Sequence, residues 1–311
     1  MTWVIINWPM DDVSDERAVA KILQRTITDE IFAAFGLSRE GWVRNFFGPV
    51  FWLPTHIFGR IMAEIDRIVG EQGVPEAAAQ LLKHFVEDLR VMGEDNIPQE
   101  GPLLIASNHP GAYDSVAILS CLPRKDIKIM VSDTPFLHSL PAASQAMVFT
   151  KPGTQGRMTA VRGMLRQMQD GGSLVIFPTG LVDPDPEVLP GAENELESWS
   201  GSLDLVMKRE PETKLIISIV SGVLSPACLQ SLLTRLPKKE WQKRRLAEYV
   251  QIIQQLALKR KFDLRPRITF DVALTGSELL AKSGAIDLHQ AIIERARQVL
   301  RTHMEAIASP G

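Results

Sequence analysis

The sequence predicts an α/β protein with a mostly parallel central sheet flanked by helices and a helical N-terminal extension. Three observations predict it. From Pro102 onward, short apolar runs alternate with helix-length segments, the order expected when each parallel strand needs a crossover. Several of those runs are apolar without alternation, as strands buried on both faces must be. The first 92 residues, by contrast, show only the three-to-four-residue periodicity of amphipathic helices.

Taken in order, Ala18, Ile22, Leu23, Ile27, Ile31 and Phe35 predict a first helix that stops at Gly36. After an aromatic stretch, Thr55 is expected to cap a helix whose apolar side is Ile57, Ile61, Ile65 and Ile68. Pro75 suits a first helical position, and the stripe Leu81, Leu82, Phe85, Val86, Leu89 and Met92 predicts a helix running to Gly93. Strands are then expected at Leu103–Ala106, Ile127–Val131, Leu174–Phe177, Leu215–Val220 and Ile268–Ala273. Helices are expected at Asp114–Leu122, Gly156–Gln169, Leu203–Lys208, Lys238–Lys261 and Asp287–Ala308. No Pro/Gly/Ser-rich linker divides this half. The organisation is therefore a helical region over 1–92, a candidate for membrane docking, followed by one α/β domain over 93–311.

Composition narrows the function. With 34 Lys and Arg against 37 Asp and Glu, the net charge of −3 argues against a nucleic-acid partner. Cys121 and Cys228 cannot build a disulfide framework, and the histidines lack ligand spacing, so no metal is expected. No run reaches the roughly 18 to 20 apolar residues of a membrane span, and the N-terminus lacks a secretory pattern. The motifs of serine hydrolases, P-loop and dinucleotide-binding proteins, and zinc proteases are absent.

One segment stands out. The apolar run from Leu103 leads into Asn108 and His109, a Pro110-Gly111 turn follows, and Asp114 opens the next helix. This places an imidazole at the carboxyl end of a strand, where open α/β sheets build ligand sites. A carboxylate five residues on can fold back to accept the second ring N–H, fixing the tautomer and stabilising the imidazolium. With no protein nucleophile beside it, such a pair can deprotonate a substrate hydroxyl directly. Acyl transfer to an alcohol is the natural reaction.

Here the chain resembles the glycerol-3-phosphate and lysophosphatidic acid acyltransferases with their H-x4-D motif. Asn108, His109 and Asp114 match the first block. Val148-Phe149-Thr150-Lys151 resembles the second, with Lys where the family usually carries Arg. The run from Gly171 through Phe177, Pro178, Thr179 and Gly180 resembles the third, with Thr179 in place of a carboxylate. Ile217 to Val220 sits where a fourth block belongs, so the likeness spans about residues 100–225.

The resemblance implies a fatty acyl transfer from a thioester, acyl-CoA or acyl-carrier protein, to the hydroxyl of a glycerolipid or lysophospholipid. No further cofactor is implied. His109 is the expected base and Asp114 its orienting partner. Asn108, Lys151, Arg157, Phe177, Pro178, Thr179 and Gly180 are the expected substrate-binding residues, with the Gly180 turn amides as donors to phosphate or oxyanion. Alternatives are an amino-lipid acceptor, hydrolysis by activated water, and a non-catalytic lipid-surface binder.

Lipid substrates call for a docking surface. Phe46, Phe47, Phe51 and Trp52 head the aromatic stretch and are the expected membrane contacts. Between residues 235 and 267 eleven basic side chains face three acidic ones, which gives anionic headgroups or bulk solvent a basic helix to meet. The expected location is peripheral, on the cytoplasmic face of a membrane.

Overall fold

The computed structural model describes residues 13–34, 42–235, 239–258 and 261–309. In chain order its elements are α1 Val13–Ala34, α2 Trp42–Gln72, α3 Val74–Leu82, β1 Arg90–Met92, β2 Leu103–Ser107, α4 Asp114–Ser120, β3 Ile127–Ser132, α5 Pro135–His138, β4 Met147–Thr150 and α6 Thr154–Gln169. There follow β5 Ser173–Ile176, α7 Ala192–Glu195, α8 Ser202–Arg209, β6 Lys214–Ser221, α9 Pro226–Leu229, α10 Glu240–Leu258, β7 Arg267–Phe270, α11 Gly276–Ser283 and α12 Leu288–Ala308.

A seven-stranded sheet in the order β1-β7-β6-β2-β5-β3-β4 forms the centre, confirming the predicted fold class. β6, β2, β5, β3 and β4 are mutually parallel, whereas β7 runs antiparallel to β6. The unbroken apolar texture of β2 has a direct cause. Leu103 and Ile105 face one core with Leu82, Ile118 and Leu256, while Leu104 and Ala106 face the other with Met164, Leu203 and Ile292. Both faces are covered by helices, so no position in β2 needs a polar side chain.

The five expected strands and five expected helices of the α/β half all form, with ends shifted by up to three residues. Two readings near the N-terminus differ. Thr55 does not cap a helix: α2 runs unbroken through Pro49 and Pro54, and the Thr55 hydroxyl donates back to the carbonyls of Phe51 (2.7 Å) and Trp52 (3.2 Å). The helix beginning near Pro75 ends at Leu82 rather than Met92, because Arg90–Met92 pairs with β7 as β1. β4 and α11 also form, where the sequence reading placed no regular element.

α1 and α2 make a helical hairpin, so close at Gly59 that a Cβ there would lie 2.7 Å from the Ala20 carbonyl. Leu23, Ala63, Phe136 and Leu140 form a small core that seats this hairpin on α5, beyond the carboxyl end of β3. Asp66 of α2 fixes the seating by accepting the N–H groups of Ala142 (3.0 Å) and Ala143 (2.8 Å). Among the described residues, no helix is long and apolar enough to cross a membrane.

Candidate active site

β2 lies in the middle of the sheet, and its carboxyl end delivers Asn108 and His109 to the rim. The Asn108 amide bridges to β6, donating to the Val220 carbonyl (2.9 Å) and accepting the Val220 N–H (2.8 Å). It thus continues the strand ladder with a side chain after the backbone has turned away. Expected at the substrate, Asn108 instead spends its amide on the scaffold.

His109 Nδ1 lies 2.8 Å from Asp114 Oδ2, with Asp114 fully buried and the imidazole 28% exposed. The same carboxylate accepts the Gly111 N–H (3.0 Å) and the Ser115 N–H. A carboxylate so held accepts Nδ1–H, which leaves Nε2 as the nitrogen free to exchange a proton. The Phe177 ring packs against the imidazole, tilted by 30° with 4.5 Å between centroids. Burial disfavours the imidazolium, but Asp114, with Glu248 and Asp183, outweighs it and raises the His109 pKa to about 9.

Two carboxylates, Asp183 and Asp185, brace this turn. Asp183 accepts the His109 N–H (2.8 Å) and returns its own N–H to the His109 carbonyl (2.7 Å). Burial lifts its carboxyl to about 6, against the pull of those hydrogen bonds. Asp185 accepts the N–H groups of Gly222 (3.1 Å), Val223 (3.0 Å) and Leu224 (3.3 Å), fastening the loop that leaves β6. The only sequence signal was the alternation of Asp with Pro at 183–186, typical of a chain held extended with local side-chain bonds.

The third block is a turn. Pro178 is buried, and the Thr179 hydroxyl is bonded to the backbone of Leu181 in both directions. Gly180 takes φ +65°, and its N–H closes onto the Phe177 carbonyl at 3.0 Å. Expected to face an anion, this N–H is bonded within the turn in this structure.

Lys151 and Arg157 sit apart from the pair. Three strand steps separate β4 from β2, about 14 Å at ~4.8 Å per step. Lys151 pairs with Asp133 (3.1 Å), which also binds His138. Those two partners hold the Asp133 carboxyl below its ordinary range. Arg157 is exposed on the first turn of α6, whose approach to β4 requires Gly156, since a Cβ there would lie 1.8 Å from the Lys151 carbonyl. The structure thus gathers His109, Asp114, Phe177, Pro178, Thr179 and Gly180 at one place and leaves the two cations along the same rim.

Of the expected membrane contacts, the Phe46 and Phe47 side chains lie outside the described residues. Phe51 is half-buried, whereas Trp52 is 55% exposed beside Leu53 at 47%. Cys121 is core: its thiol is buried, donates to the Ala117 carbonyl and is pushed by burial to about 11.

Comparison with known proteins agrees with this geometry. A family model described as Acyltransferase matches residues 88–216. No curated protein matches the chain significantly. Among solved structures, the chain is similar to the 1-acyl-sn-glycerophosphate (LPA) acyltransferase PlsC from Thermotoga maritima, with TM-score 0.46 and 15% identity over 96% of this chain and 98% of that one. The family-model match spans the segment in which the motifs were read, with His109 and Asp114 inside residues 88–216, and supports the acyltransferase resemblance there.

Proposed function

We propose that the chain transfers a fatty acyl group from a thioester of coenzyme A or a carrier protein to the hydroxyl of a glycerolipid or lysophospholipid. The observation that carries this reading is the 2.8 Å His109–Asp114 contact at the carboxyl end of the central strand, with the imidazole still reachable. His109 Nε2 takes the acceptor's hydroxyl proton as the oxygen attacks the thioester carbonyl. The C–O bond forms, the tetrahedral intermediate expels the thiolate, and the imidazolium returns the proton to sulfur. Asp114 stabilises the imidazolium throughout, and Phe177 packs against the ring.

A second reading, an amino-lipid acceptor, is favoured by a specific observation. The cation of the second block is already paired with Asp133, and the immediate surroundings of His109 carry Asp114, Asp183 and Glu248. That environment suits a neutral or cationic headgroup better than a phosphate monoester.

The test is incubation of the protein with acyl-CoA and a panel of lyso-lipids and amino-lipids, followed by mass spectrometry of the lipids. An acylated acceptor is expected from the wild type. His109→Ala is expected to lose about 10²- to 10⁴-fold in turnover while keeping its circular dichroism. Near-normal transfer by that variant removes His109 from the mechanism, and free fatty acid alone makes the chain a hydrolase.

A lipid acceptor calls for docking at a membrane surface, and we infer a peripheral enzyme on its cytoplasmic face. Ile22, Trp52 and Leu53 expose apolar area on the α1–α2 hairpin, and burying a large apolar side chain contributes about 1.5–3 kcal/mol. Trp52→Ser/Leu53→Ser is expected to lower flotation with anionic liposomes at least tenfold. Unchanged flotation would rule out this hairpin as the contact.

A further inference from the structure

The inner side of α10 carries polar residues at helical spacing: Arg244, Glu248, Gln251 and Gln255. Three of them staple loops of the site. Arg244 Nε donates to the Val182 carbonyl at 2.9 Å. Gln251 accepts the Ser225 N–H (2.6 Å) and donates to the Val223 carbonyl (2.9 Å). Gln255 accepts the Tyr113 hydroxyl and donates to the Phe85 carbonyl (2.7 Å). Glu248, in the middle of the stripe, faces the turn that joins His109 to Asp114: a Cβ on Gly111 would lie 3.7 Å from its Cγ and 3.8 Å from its Oε1. That Oε1 is buried and, among the described residues, has no hydrogen-bond partner.

We propose that Glu248 is a positioning residue of the site, a third carboxyl that titrates as one unit with the His109–Asp114 pair and sets the proton affinity of the imidazole from α10. The proposal rests on the reading of His109 as the proton acceptor. An oxygen buried without a donor strongly disfavours a bare carboxylate, so Glu248 either keeps its proton or is compensated by a nearby positive charge. The imidazolium is the largest compensating charge in its surroundings, ahead of Arg245 and Arg244. The groups that face this cluster are Tyr113 and Asp114 from the turn and α4, Asp183 through His109, and Arg244 and Arg245 from α10 itself. Burial raises the Glu248 carboxyl to about 8, with His109 opposing the shift and Asp114 adding to it.

Two coupled sites release their protons in steps that belong to the pair. Fully protonated, the pair is an imidazolium and a neutral carboxyl. After one proton leaves, the remaining one sits either on the ring, beside a carboxylate, or on the carboxyl, beside a neutral ring. The second arrangement has the same net charge and presents a basic Nε2. Glu248 thus gives the base a place to leave its proton.

The experiment is an NMR titration of the full chain with ring-labelled histidine, His109→Gln assigning the signal. In the wild type the His109 signal is expected to titrate in a broadened, two-step curve. In Glu248→Gln it should collapse to one step with about tenfold weaker proton binding, and Glu248→Asp should restore the coupling. An identical midpoint and shape in the Gln variant would overturn the proposal. Should that variant fail to fold, infrared spectra of wild type carrying carboxyl-labelled glutamate decide: a protonated glutamate at pH 7 is expected, and its absence refutes the idea. Neither readout needs turnover, so coupling without acyl transfer would count against the proposed function alone.

Discussion

His109 is held twice, its ring by Asp114 and its backbone by Asp183. The two carboxylates do different work, and substitution separates them. Asp183→Ala leaves the His109 N–H unpaired at a buried turn, which costs about 1–3 kcal/mol and lets the ring drift. The expected result is a lower denaturant midpoint together with a fall in kcat larger than any rise in KM; an unchanged kcat would show that the backbone bond does not aim the ring. Asn108→Ala strands the N–H and carbonyl of Val220 between β6 and the end of β2. Urea unfolding should register about 1–3 kcal/mol for each orphaned group. At this scale the His–Asp pair was legible because its partners are five residues apart and the turn between them is written in Pro and Gly. Asp183 was not legible, because it meets His109 across 74 residues.

Among the elements, those that were read correctly bury whole faces. β2, β5 and β6 are largely apolar runs, and α12 opens on Asp287, whose side chain accepts the Gln290 N–H at 2.9 Å. The misreadings have physical causes. β1 is short and at the sheet edge, so Leu89 and Met92 fell into the stripe of the preceding helix. α11 is announced by Thr275 and Glu278, which form a capping box, a sequence signature that its eight residues make easy to overlook. α10 was read for its basic residues, yet its consequence for the site lies in the polar stripe on its other side. Helix α6 offers an element-scale test. Gly156→Ala forces the helix start away from the Lys151 carbonyl and should cost about 1–3 kcal/mol in thermal or chemical unfolding. Wild-type stability for that variant would mean that α6 does not approach β4 as closely as the structure has it.

For the molecule as a whole, the site's unusual proton affinities tie activity and stability to pH in opposite senses. His109 binds its proton with a folded value of about 9 against an ordinary 6.5, and Glu248 with about 8 against 4.5. Each therefore contributes stability that is complete below its unfolded value and is lost as pH rises through the folded one. Asp183 and Asp185, both lifted by burial from 3.8 to about 6, act in the same direction at lower pH. His303 works against them. Buried between Thr269 (2.7 Å) and Ser221 (2.9 Å) and lowered by burial to about 4, it stays neutral in the fold, so its contribution is lost as pH falls from 6.5 toward 4. Below pH 6.5 these shifts oppose one another, but above it His109 and Glu248 are unopposed by His303. Each extra proton bound by the folded chain then removes about 1.4 kcal/mol of stability per pH unit. Calorimetry should accordingly show Tm falling between pH 6.5 and 9, over the interval in which acyl transfer rises as the imidazole becomes free to accept a proton. Glu248→Gln should flatten the stability slope and move the rise in activity to lower pH, whereas a Tm that climbs toward pH 9 would mean that the folded site does not retain these protons.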